Sequence, residues 1–263
     1  MSQTRILCVV SNARSGSTAL RSALAASGRI KDFGEIFHND RALTAFPFLD
    51  YLERWPDPLL AMIDWSECSK ISQSYVRQLA FESFGQMPLI DVKHNAWNLL
   101  KPLWQFPHDE PLFMTALKSE RAMFVQLRRE NLAEQIISYV LAMDTQKWHA
   151  QATEGDVPEH LRRRRLDPAL VRRLCGLFDH AEALTEELLA DYRHRLVLTY
   201  ETTFVGGVLT PEAASRLSGA TGLEIVPGAL DQRPNLIDKI EMISNYDEVC
   251  EIADSVRAGR PAR

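Results

Sequence analysis

The residues best suited to chemistry lie near the N-terminus, in a short polar loop that contains one glycine. An apolar run over 6–10 precedes the loop, and Leu20 and Leu24 follow it at helical spacing, which predicts a strand, a tight turn and a helix start. Free N–H groups and the positive end of the helix dipole make such a helix start attractive to anions. The predicted phosphate ligands are Arg14, Ser15, Gly16, Ser17 and Thr18.

This loop differs from the phosphate loop of nucleotide triphosphatases, which reads G-x-x-x-x-G-K-[ST] and uses its lysine on phosphate and its hydroxyl on magnesium. Ser11 stands where the first glycine would be, and Ser17 stands where the lysine would be. The loop is therefore suited to an anion but not to Mg-ATP hydrolysis, and we expect no metal site. On the loop alone, a strand that turns into a helix without any ligand stays an alternative.

Composition indicates one ordinary globular domain spanning 1–263. The chain is 46% hydrophobic and 25% charged, which is enough for one substantial core, and its net charge of -5 argues against nonspecific nucleic-acid binding. We find no signal-like N-terminus and no apolar stretch of membrane-spanning length, so we expect a cytoplasmic protein. The cysteines show no C-x-x-C spacing and indicate neither a zinc site nor a disulfide framework; they are Cys8, Cys68, Cys175 and Cys250.

Short apolar stretches alternate with segments of helical spacing. The strand candidates are 5–11, 88–93, 122–127 and 195–199. The helix candidates are 72–84, 132–143, 169–189, 211–220 and 236–252. This alternation predicts the α/β class, as a three-layer, P-loop-like fold whose mostly parallel central sheet is flanked by helices and binds ligands at the strand carboxyl ends.

A polar break at 150–168 contains the run Arg162 to Arg165. It is either a lid or acceptor-side excursion over the active-site mouth or a solvated helix start, and charge runs usually face water.

A second informative segment spans 124–142. Its strand ends in Arg128 and Arg129, and the helix that follows places Gln135 and Ser138 three residues apart on one face. Guanidinium groups bind phosphate in bidentate fashion, and a serine hydroxyl can donate to the same oxygens. Beside an anion-binding first loop, these residues predict a second phosphate on the same ligand, with Arg128, Arg129 and Ser138 as its contacts.

Together these segments resemble the bacterial carbohydrate sulfotransferases of nodulation-factor, lipopolysaccharide and trehalose type. The loop 14–18 is similar to that family's 5′-phosphosulfate loop, and 127–131 with Gln135 and Ser138 is similar to its 3′-phosphate motif. Further similar elements, in family order, are 34–37, 92–93, 200–201 and the tail 232–248, which contains Arg233. The combination covers residue 5 to about residue 249.

The resemblance implies 3′-phosphoadenosine 5′-phosphosulfate (PAPS) as donor, adenosine 3′,5′-bisphosphate (PAP) as product, and in-line sulfuryl transfer to a hydroxyl of a carbohydrate or small molecule. Arg14 and the loop N–H groups would stabilise the leaving phosphate without a metal. Glu35 matches the base of the trehalose-type enzymes, and His94 is the competing base. Lys93 either holds the sulfuryl oxygens or pairs with a carboxylate, and Arg233 joins the donor ligands.

Two other functions compete with this interpretation. A small-molecule kinase of P-loop type lacks its lysine here, and a non-catalytic module that binds adenosine bisphosphate would keep the phosphate site without turnover. Trp97 and Trp148 are the aromatic residues best placed to line a pocket. We expect a small-molecule or glycan acceptor and no nucleic acid or membrane span, and we leave a homodimer open.

Overall fold

A computed structural model describes residues 6–38, 40, 43–100, 110–146, 163–228 and 239–259, except for the side chains of 98–100. Within these ranges five parallel strands form the central sheet, in the order β2-β3-β1-β4-β5. The strands are β1 (Leu7–Ser11), β2 (Ile30–Glu35), β3 (Met87–Lys93), β4 (Met123–Arg128) and β5 (Arg195–Thr199). A small antiparallel ribbon pairs β6 (Phe204–Val205) with β7 (Val208–Leu209).

Helices connect the strands and cover the sheet. They are α1 (Ser17–Ala25), α2 (Phe48–Glu53), α3 (Pro58–Ile63), α4 (Trp65–Glu82), a 3-10 helix (His94–Leu100), α5 (Leu112–Ser119), α6 (Leu132–Thr145), α7 (Pro168–Leu188), α8 (Tyr200–Thr203), α9 (Pro211–Thr221), α10 (Lys239–Met242) and α11 (Tyr246–Ala258). Several begin at a side chain that accepts a hydrogen bond from the first turn, such as Asp64 for α4, Asn131 for α6 and Asp167 for α7. None of the helices in the described ranges is long and apolar enough to cross a bilayer.

The core has a layer on each face of the sheet because successive strand residues point in opposite directions. From β1, Cys8 and Val10 pack with α4 and α5, whereas Leu7 and Val9 pack with α1 and α9. A third cluster joins α6, α7 and α11. Every residue of β1 is buried, as expected of a central parallel strand covered on both sides.

The predicted α/β, P-loop-like class with a parallel sheet between helices is confirmed. The four predicted strands are present with ends shifted by two residues or fewer. Strand β2 was missed, because only Ile30, Phe33 and Gly34 of its six residues are buried and its register shifts between Asp32 and Glu35. The single helix expected over 236–252 is wrong, since α10 ends at Met242 and α11 begins at Tyr246.

That break has a physical cause in the segment before α7. The backbone of Arg164 exchanges hydrogen bonds with Met242 and Ser244, and Asn245 donates to the carbonyl of Leu166. These contacts take the backbone groups that a continuous helix would use. Residues 150–162 of the predicted lid lie outside the described ranges, and Arg165, beside Glu248, is mostly exposed.

The strand register brings the site residues to one edge of the sheet. Ser11, the last residue of β1, pairs with Lys93 on one side and Leu127 on the other, and Glu35 pairs with Asp91. All these strands end at the same edge because they are parallel. This carboxyl edge is where ligands bind in open α/β sheets.

Candidate active site

The predicted phosphate loop lies between central strand β1 and α1. Arg14 and Gly16 both adopt left-handed backbone conformations, with φ of 62° and 84°. Gly16 is the N-cap of α1, and no side chain caps that helix, so the first N–H groups of α1 keep their capacity to bind an anion. A Cβ on Gly16 would lie 2.6 Å from the ring of Tyr200, so only glycine fits this turn.

Helix α6 holds the loop from one side. The amide of Gln135 donates to the carbonyl of Ala13 and to the hydroxyl of Ser15, both at 2.8 Å. The Nε of Arg14 donates to the hydroxyl of Ser138 at 3.0 Å. The structure thus joins the two segments that the sequence marked as separate phosphate motifs into one site.

Arg129 also contacts the loop, and its guanidinium is fixed by neighbouring residues. Its guanidinium donates to the carbonyl of Arg14 at 3.0 Å and lies 4.8 Å from the ring centre of Tyr200. The carboxylate of Glu201 accepts from the N–H groups of Glu130 and Asn131, which fixes the turn after Arg129. Burial lowers the pKa of Arg129, and burial together with the charge of Arg129 lowers that of Arg14. Two crowded, desolvated cations favour a bound anion.

Arg128 is directed elsewhere. Its guanidinium lies 2.6 Å from a carboxylate oxygen of Glu186 and 3.8 Å from one of Glu182, both on α7. Neighbouring strand residues face opposite ways, so Arg129 lies at the loop while Arg128 lies against α7. The role of Arg128 as a donor ligand stays a prediction that this placement does not favour.

A second cluster surrounds Lys93 at the end of β3. Its ammonium donates to the hydroxyl of Ser17 at 2.6 Å and to the carboxylate of Asp91 at 2.8 Å, and it lies 3.3 Å from Glu35. Asp91 is fully buried and also pairs with Arg21 at 3.5 Å. Lys93 therefore connects the phosphate loop, through Ser17, with the carboxylate of Glu35. Both roles predicted for Lys93, holding the sulfuryl oxygens or pairing with a carboxylate, are compatible with this position.

His94, the competing base, lies in a different environment. Its Nδ1 is 2.8 Å from the hydroxyl of Thr185 on α7, and the residue is 4% exposed. Burial, with the positive charges of Lys93 and Arg128, lowers the pKa of His94 to about 3. The imidazole is thus neutral near pH 7 and shielded from solvent.

Sequence reasoning missed two residues next to Arg129, namely Glu134 and Lys239. Lys239, from α10, contacts the carboxylate of Glu134 on α6, and burial with the charges of Arg129 and Arg14 lowers its pKa to about 7. A single lysine in a segment of helical spacing gives no signal of its own. Trp97 is 3% exposed and packs in the core against Phe113 and Phe124, a placement that does not favour the pocket role predicted for it. Trp148 and Arg233 lie outside the described residues.

The titratable residues form no recognisable metal centre in the part of the chain that the structure describes. No group of three or more His, Cys, Asp or Glu side chains there could hold a metal ion. All four cysteines are thiols rather than disulfides, and Cys8, Cys68 and Cys175 are buried, in line with core positions.

One known protein family matches this chain. The profile of the Stf0 sulphotransferase family matches residues 6–169, which is more than half of the chain and includes the loop, Glu35, Lys93, Arg129 and Ser138. A search of curated protein sequences found no match. Among solved structures, the chain is similar to the sulfotransferase domain from the curacin biosynthetic pathway, with a TM-score of 0.43 and 17% identity over 98% of this chain and 93% of that one. On the strength of the family match, the chain belongs to the Stf0 sulfotransferases and is an enzyme of sulfuryl transfer.

Proposed function

We propose that this enzyme uses PAPS as its donor and transfers the sulfuryl group to a hydroxyl of a carbohydrate or small-molecule acceptor. The observation that carries the proposal is the direct joining of the two phosphate motifs, through Arg14 to Ser138 and Arg129 to the carbonyl of Arg14. A ligand with two separated phosphate groups would engage both motifs at once. PAPS has that pattern, with a phosphosulfate at the 5′ position and a phosphate at the 3′ position.

The donor side fits such a ligand. The uncapped start of α1, which follows the left-handed turn at Gly16, offers N–H groups to the 5′-phosphosulfate. Arg129 and Ser138 offer charged and hydroxyl contacts to the 3′-phosphate. Arg14 lies between the two and is the cation best placed to offset charge that develops on the leaving phosphate.

The acceptor side is formed by Lys93 and Glu35. In sulfuryl transfer the acceptor hydroxyl loses its proton as the sulfur–oxygen bond forms, and a carboxylate within hydrogen-bond reach can take that proton. Lys93 lies between Ser17 of the donor loop and Glu35. It can stabilise negative charge on the transferring group and hold the carboxylate of Glu35 in position for the hydroxyl.

Glu35 is a better base than His94 on geometry as well as charge. Its side chain is 15% exposed at the sheet edge, whereas His94 is shielded from solvent and faces Thr185. Burial beside the positive charges of Lys93 and Arg128 lowers the pKa of His94 to about 3, so the site disfavours the imidazolium that proton transfer to this ring would create. We assign His94 a packing role and Glu35 the proton transfer.

The kinase and the non-catalytic module differ from this proposal in measurable ways. A kinase needs magnesium for turnover, and a binding module would hold PAP without turning over PAPS.

We further propose that one domain, 1–263, carries the whole reaction.

The donor assignment is tested by thermal protection with PAP. Wild-type protein should be protected, Arg129→Ala should lose most of the protection, and Arg128→Ala, the matched neighbouring arginine, should keep most of it. The difference follows because Arg129 contacts the loop and Arg128 contacts α7. Equal protection of the wild type and Arg129→Ala would reject the assignment, and protection by Mg-ADP but not PAP would favour the kinase.

A further inference from the structure

One carboxylate lies among the cations of the donor site. Glu134, in the first turn of α6, has one oxygen 3.7 Å from the guanidinium of Arg129 and in contact with the ammonium of Lys239. Its other oxygen accepts from the hydroxyl of Tyr246 at 2.9 Å. Glu134 precedes Ser138 by one helical turn, so the two side chains lie on the same face of α6. The carboxylate is therefore next to the position proposed for the 3′-phosphate.

Among the described residues, two cations contact the carboxylate of Glu134, namely Arg129 and Lys239, and the positive charge of Arg14 acts on both of them. The side chains of Arg129, Lys239 and Glu134 are 13%, 12% and 20% exposed, so water screens them little. Each of the three cations has a lowered pKa, first because of burial. A phosphate monoester carries about -1.5 to -2 charges at neutral pH, which is more negative charge than one carboxylate offers these cations.

We propose that Glu134 is a built-in competitor for the donor's 3′-phosphate, and that Lys239 is the cation that gives the site its preference for a phosphate monoester at that position. The inference rests on the proposed function and deepens it. In the free protein the carboxylate of Glu134 offers Arg129 and Lys239 a single negative charge between them. A 3′-phosphate carries more negative charge and replaces the carboxylate in contact with these two cations. Glu134 then keeps its hydrogen bond from Tyr246.

The arrangement also links the end of the chain to donor binding. Lys239 begins α10 and Tyr246 begins α11, while Glu134 and Arg129 belong to the β4–α6 region. Arg257 of α11 donates to the carbonyl of Arg129 at 2.7 Å, which fixes the two regions to each other. Lys239 and Tyr246 therefore both lie beside the position proposed for the 3′-phosphate.

The test compares two nucleotides by titration calorimetry. PAP carries the 3′-phosphate, and adenosine 5′-monophosphate (AMP) lacks it. Lys239→Met should weaken PAP binding by about tenfold or more, since it removes one charge-assisted contact, and should leave AMP binding within about twofold. Lys239→Arg keeps the charge and should keep most of the PAP preference. Lys70→Met, at an exposed lysine of α4, is the matched control.

Glu134→Gln tests the competitor directly, with Glu251→Gln on the exposed face of α11 as its control. Removing the competing charge should tighten PAP binding by about three- to tenfold and change AMP binding little. Unchanged or weaker PAP binding by Glu134→Gln overturns the competitor role, and an unchanged ratio of PAP to AMP affinity in Lys239→Met overturns the role of Lys239. Wild-type protein that does not bind PAP would instead refute the proposed function.

Discussion

Replacing Gly16 by alanine should damage the donor site beyond its effect on the backbone. Gly16 has φ of 84°, and holding an L-residue in the left-handed region costs about 1–2 kcal/mol. The added Cβ would also lie 2.6 Å and 2.7 Å from two ring carbons of Tyr200. Overpacking of this kind adds about 1–3 kcal/mol. The free energy of unfolding should therefore fall by about 2–5 kcal/mol.

Gly28→Ala is the matched control, because Gly28 has φ of 67° and no atom within 4 Å of the added Cβ. It should lose about 1–2 kcal/mol from the backbone alone and keep its affinity for PAP. Gly16→Ala should lose that affinity as well, because Tyr200 supports the guanidinium of Arg129.

Chemical denaturation measures the stability of both variants, and calorimetry measures PAP binding. The double variant Gly16→Ala/Tyr200→Ala should lose less free energy of unfolding than the sum of the two single variants, because the contact between the added Cβ and the ring is absent from it. Equal loss of stability in Gly16→Ala and Gly28→Ala, with normal PAP binding in both, would mean that the contact with Tyr200 neither limits the turn nor supports the donor site.

Three further predictions concern the acceptor side and pH. Glu35→Gln should lower turnover by roughly 10²- to 10⁴-fold with PAP affinity nearly unchanged, whereas His94→Asn should cost far less; steady-state kinetics with the reverse ranking would make His94 the base. Gly34→Ala places a Cβ against the carbonyl oxygen of Leu43, so the end of β2, which carries Glu35, must move. Turnover should therefore fall by about 10²-fold while PAP still binds. Normal turnover would show that the backbone there is not tightly confined. Because the pKa of Lys239 is lowered to about 7, its charge is present below that pH and lost above it, so PAP affinity should decline as the pH rises from about 7 toward 9. Calorimetry on Lys239→Met should show a flatter profile in that range.

The parts of the site that the sequence could predict are local in the chain. The loop 14–18 follows an apolar run and precedes a helical pattern, and Arg129, Gln135 and Ser138 lie within one strand-to-helix junction. The central strand could be recognised because both its faces are buried. Edge strand β2 could not, because half of its residues face partly outward and its pairing is irregular.

The parts that escaped prediction depend on the packing of distant segments. Lys239 reaches Glu134 across 105 positions of sequence, and neither residue has a distinctive neighbour pattern. Arg128 and Arg129 are equivalent in the sequence, and only the carboxylates of α7 separate their roles. Trp97 follows a strand end at which ligands bind, yet it turns into the core beside Phe124.

In the proposed reaction PAPS is the sulfuryl donor and Glu35 acts on the acceptor. The most direct test incubates wild-type protein and Glu35→Gln with PAPS and a metabolite extract, in the presence of a chelator of divalent ions, and follows both PAP release and sulfated products by mass spectrometry. The wild type should release PAP and form at least one product carrying an added sulfuryl group, and Glu35→Gln should bind PAP but form little product. Product formation by Glu35→Gln at the wild-type rate would remove the role of Glu35, and a wild type that transfers nothing from PAPS, with or without the chelator, would remove PAPS as the donor.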